Sequence, residues 1–93
     1  MKLSKQAKQL AEDLGLSEAE AVVMELKSRL YTHAAKAIKK SKLSHEDIAE
    51  RVGTSRARIT RISNHGENSV SIELLAKIIF SLEHKLPFDL KAA

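Results

Sequence analysis

The stretch that decides the fold is His45-Glu46-Asp47-Ile48-Ala49-Glu50-Arg51-Val52-Gly53-Thr54-Ser55-Arg56-Ala57-Arg58-Ile59-Thr60-Arg61-Ile62-Ser63-Asn64. Its apolar residues recur at three- and four-residue steps, the spacing that places side chains on one face of a helix. Gly53 interrupts the pattern. Two helices of about eight to ten residues joined by so tight a turn must cross steeply, so the residue at their closest approach must be small, and Ala49 fits. The turn needs a residue without a Cβ clash at positive φ, which Gly53 supplies. Ile48, Val52, Ile59 and Ile62 then point into a shared core. A plain αα-corner explains that much equally well, but it does not explain the outer face of the second helix. Arg56, Ala57, Arg58, Thr60, Arg61 and Asn64 remain outside there, with three arginines and no acid, whereas a solvated face normally mixes both signs.

The rest of the chain reads as helical. Leu3 to Leu14 forms a first helix that stops at Gly15. Ser17-Glu18-Ala19-Glu20 is a capping box that opens a long helix running to about Lys40, with the stripe Val22, Leu26, Leu30, Ala34, Ile38. Ser44-His45-Glu46-Asp47, with Asp in place of the usual Glu, starts the third helix, and Thr54 or Ser55 caps the fourth. A polar stretch from Asn64 to Ser69 is a loop, after which Ser71 caps a fifth helix ending near Glu83. From Ile72 to Leu82 this last helix is apolar except at Glu73, Lys77 and Ser81, which share one ridge. A stripe so wide belongs at the centre of the core or against another chain. Leu86-Pro87-Phe88-Asp89-Leu90-Lys91 alternates weakly and reads as a short edge or terminal strand, since Pro87 cannot donate to a ladder.

The expectation is thus an all-α single domain, 1–93. Residues 1–42 hold an N-terminal helical extension and the first bundle helix, 43–83 the two-helix unit with its supporting helix, and 84–93 a tail. Ninety-three residues bury roughly 60 to 65% of the unfolded surface, enough for one modest core and not for a large cleft.

Sixteen Lys and Arg against 12 Asp and Glu give a net charge of +4. The excess is concentrated: Arg29 to His65 carries nine basic residues against Glu46, Asp47 and Glu50, a net of +6, while each flank is at −1. Aromatic residues make up 3%, too few for the stacking platforms of RNA- and single-strand-binding sheets, so a basic surface here suits a duplex backbone.

Other chemistries find little support. There is no cysteine, hence no disulfide frame or thiolate chemistry. His33, His45, His65 and His84 have no histidine three or four residues away, so no metal site is expected. Ser44, His45 and Asp47 are adjacent on one helical turn and point in different directions, which precludes a nucleophilic relay. With no glycine-rich phosphate loop either, no enzyme activity and no cofactor are expected. No apolar run approaches the roughly 20 residues that span a bilayer, and the basic turn Lys36, Lys39, Lys40 lacks large aromatics on its other face, so a soluble, cytoplasmic protein with no membrane partner is expected.

The quoted twenty residues resemble the helix-turn-helix of the XRE family, the lambda-repressor-like regulators, and the resemblance extends over about Leu43 to Leu82. It implies a lambda-repressor-like bundle whose second helix enters the major groove of double-stranded DNA while the first crosses the backbone. Carried over by position, Ser55, Arg56, Ala57, Thr60 and Arg61 would face base edges, and Lys42, His45, Thr54, Arg58 and Asn64 would face phosphates or the groove wall. The chain has His45 and Arg56 where the family often has Gln. Leu26-Lys27-Ser28-Arg29-Leu30, Ile38 to Ser44 and Val70-Ser71-Ile72-Glu73-Leu74-Leu75 further resemble small XRE regulators of the antitoxin type. That resemblance implies a homodimeric repressor, or alternatively a protein that neutralises a partner toxin and uses DNA binding for autoregulation.

Overall fold

In the computed structural model, which describes residues 5–15 and 17–85, the chain forms five helices and, among those residues, no strand. They are α1 (Lys5–Asp13), α2 (Glu18–Lys40), α3 (His45–Val52), α4 (Arg56–Ser63) and α5 (Ile72–Glu83). The protein is all-α, as the periodicity requires. The tail segment read as a strand, Leu86 to Lys91, lies outside the described residues.

Serine sets the start of every helix from α2 onward. The hydroxyls of Ser17, Ser44, Ser55 and Ser71 each accept a hydrogen bond at 3.1 Å from the backbone N–H three residues on. Each satisfies one donor that a helix N-terminus leaves free. Of the two candidates before α4 the cap is Ser55, with Thr54 in the turn. Gly15 and Gly53 both take the left-handed conformation, at φ +71° and +76°. At Gly53 the chain reverses tightly, with the N–H groups of Gly53 and Thr54 both reaching the carbonyl of Ala49.

The core is aliphatic. Ile48, Ile59, Ile62, Leu75, Ile78 and Ile79 are fully buried, joined by Leu30, Ala34, Ile38, Ala49, Val52 and Val70. All four isoleucine and valine positions expected inside the α3–α4 unit are there, and Ala49 is 3% exposed where the two helices meet. α5 is the centre of this core, packed against both α2 and α3, which accounts for its nearly all-apolar sequence. Phe80 is the exception: at 51% exposure it stands at the edge of the stripe. α2 backs α4 and α5 and carries α1 along its N-terminal half, where Leu10, Leu14, Val23 and Met24 stay exposed. His33 Nε2 lies 2.6 Å from Glu83 Oε1, tying α2 to the end of α5.

Candidate nucleic-acid interface

Burial of Ile59, Ile62 and Ser63 fixes the rotation of α4, so the opposite side of the helix must turn outward. Arg56, Ala57, Arg61 and Asn64 are exposed, while Arg58 and Thr60 are half-buried at the margins of the helix. No acidic residue lies in its first turn, where the free N–H groups and the helix dipole favour an anion. Ser55 is committed through its hydroxyl to Arg58 N–H but is exposed at the helix tip. The expected base-edge set thus lies on the first two turns of one helix.

Two of the expected side chains are joined across the turn. His45 Nδ1, at the start of α3, is 2.8 Å from Thr60 Oγ1. His45 therefore spans α3 and α4 at a position where the resembled family often carries Gln, and Thr60 is tied to α3 rather than standing free. The same bond, with the Ser44 cap on Asp47, accounts for all three letters of the apparent relay in structural terms. Thr54 is half-buried within the turn. Lys42 is exposed and lines a groove with Lys40, Arg51 and His84, where the ends of α2 and α5 come together.

The loop after α4 adds residues that the motif did not indicate. α4 closes with a reversal in which His65, at φ 57°, donates its N–H to Ile62 O, and Gly66 donates to Arg61 O at 2.7 Å. This paired capping pattern turns the chain back along the helix. It brings Glu67 beside the arginines: Oε2 accepts from Arg61 Nε at 3.2 Å and Nη2 at 3.1 Å, and lies 3.6 Å from Arg58 Nε. Arg58 Nη2 donates to Ser69 O at 2.6 Å. Tyr31 on α2 holds the loop in place, its hydroxyl accepting from Glu67 N–H at 3.1 Å and its ring 5.4 Å from that of His65. α4 itself has no acid, but its basic face does. The available signal was a single acid in the loop directly following a helix whose charged residues are all basic; the role of Tyr31, 36 residues away from Glu67, left none.

Two short helices locked at a glycine turn, the second showing a basic, acid-poor face and braced by two further helices, define a helix-turn-helix domain. Residues 10–90 match the family model described as Helix-turn-helix domain, and the chain belongs to that family. The comparisons with curated proteins and with solved structures gave no match. Family membership supports a DNA-binding regulator. No helix among the described residues is long and apolar enough to cross a membrane.

Proposed function

We propose that the protein is a sequence-specific regulator of transcription, a repressor, that binds double-stranded DNA as a homodimer with α4 in the major groove. The observation that carries this is the exposed face of α4: Arg56, Ala57 and Arg61 point outward from a helix whose other side is locked in the core by Ile59 and Ile62. Arg56 and Arg61 offer paired donors that match guanine O6 and N7, and Ala57 is small enough to let the helix approach and to meet a thymine methyl. His45, Thr54, Arg58, Asn64 and Lys42 are proposed for the phosphates and groove wall. One such helix covers about 4 to 5 base pairs, so useful specificity needs two copies about 34 Å apart on a pseudo-palindrome.

The test is binding to a duplex selected from a randomised pool. Arg56→Ala and Arg61→Ala should each cost about 1 kcal/mol or more of discrimination against a scrambled duplex. Unchanged sequence preference in both variants would rule out base reading by α4.

A second reading, that the protein also holds a partner toxin as antitoxin-type relatives of the resembled family do, is favoured by the α1–α2 hairpin. Leu10, Leu14, Val23 and Met24 expose about half of each side chain there, outside the helix-turn-helix unit. Co-expression with the product of an adjacent small reading frame, followed by pull-down, should recover a complex that Leu14→Glu weakens. A monodisperse homodimer with no co-purifying partner argues for regulation alone.

A further inference from the structure

Glu67 has no part in the helix-turn-helix reading, yet its placement is highly constrained. Its side chain is only 17% exposed, although Gly66, Asn68 and Ser69 around it are exposed. One carboxylate oxygen receives both Nε and Nη2 of Arg61, a residue whose side chain is 51% exposed. The same oxygen is 3.6 Å from Arg58 Nε, an ion-pair distance too long for a hydrogen bond, and that nitrogen is buried without any hydrogen-bond partner. The carboxylate is therefore bonded to the exposed arginine and stands next to a buried, unsatisfied donor of the half-buried one.

Arg61 is thus held by the edge with which a guanidinium grips paired acceptors. We propose that Glu67 is a specificity-determining residue of the DNA interface: in the free protein it occupies the Arg61 donors that would read a guanine edge, and it yields them only to a contact that replaces both bonds. This inference rests on the DNA-binding reading above. Non-specific attraction grows with the number of phosphates neutralised. A fixed carboxylate beside two of the three α4 arginines lowers that attraction on every sequence alike. A guanine in register offers Arg61 two acceptors, and the released carboxylate has Arg58 Nε within a short movement to receive it. Random duplex is then penalised more than the cognate site.

The experiment measures Kd for the selected and the scrambled duplex over a range of salt concentrations. Glu67→Gln should raise affinity for scrambled duplex about threefold or more at low salt and steepen the log–log salt slope by about one unit per protomer. Affinity for the selected duplex should change less, so the specificity ratio falls. Glu67→Asp, which keeps the charge, should restore most of the ratio. In an Arg61→Ala background the effect of Glu67→Gln should largely vanish, as expected for coupled residues. Tyr31→Phe removes the hydroxyl that holds the Glu67 backbone while leaving every charge in place; it should lower the ratio in the same direction, and it decides the matter if Glu67→Gln does not fold. A ratio unaffected by Glu67→Gln, or by Tyr31→Phe where that variant stands in, overturns the inference. So does an effect that persists in full without Arg61. If the wild-type protein itself shows no preference for the selected duplex, the DNA-binding reading falls and takes this inference with it.

Discussion

At Gly53 a Cβ added to the backbone meets nothing within 4 Å, so any cost of a side chain there comes from φ +76° alone. Gly53→Ala should destabilise the protein by about 1 kcal/mol, the left-handed penalty less the entropy alanine removes from the unfolded chain, read as a lower urea midpoint with an unchanged slope. Ser55→Ala should cost about as much by freeing the Arg58 N–H that its hydroxyl now satisfies. That variant also loosens the tip of α4, so DNA affinity should fall along with stability, whereas Gly53→Ala should affect stability first. Gly53 could be assigned from sequence, and the α4 cap narrowed to Thr54 or Ser55, because caps and left-handed turns are local: the serine and its N–H lie three residues apart. Arg61 could be assigned only by half. Its outward direction follows from the burial of Ile59 and Ile62, but its attachment to Glu67 depends on a loop that carries no periodicity.

Among the elements, α5 shows why an almost wholly apolar helix is tolerated in so small a protein. α2 packs along one side and α3 on another, so Leu75, Ile78 and Ile79 are sealed from solvent. Ile78→Ala should cost about 2 to 5 kcal/mol and shift the thermal midpoint down sharply, enough to leave a marginal domain largely unfolded near physiological temperature. The sequence left open whether this helix was the centre of the core or half of an interface. Stripe width alone cannot separate the two, because burial by a neighbouring helix and burial by a second chain demand the same residues. The loop between α4 and α5 was legible as a loop and not as a part of the site. Its path depends on His65 closing α4 and on Tyr31 receiving Glu67, and the latter contact joins residues far apart in the chain.

At the scale of the whole molecule, the concentration of charge between Arg29 and His65 agrees with the position of α4 but overstates its free positive charge, since Glu67 from the following acidic segment is folded onto it. For a homodimer holding several basic residues at each half-site, a salt titration of binding to the selected duplex should give a log–log slope near −5 to −8, about 6 to 9 phosphates. A slope shallower than about −3 would count against two helices engaged at once. The chain also has no tryptophan and a single tyrosine, Tyr31, and that residue stands where α2 meets the loop bearing Glu67. Intrinsic tyrosine emission and the tyrosine bands of near-ultraviolet circular dichroism therefore originate at that junction alone. The protein carries its own unlabelled optical reporter on the support of the α4 arginines, and a spectral change on mixing with DNA would read out that support directly.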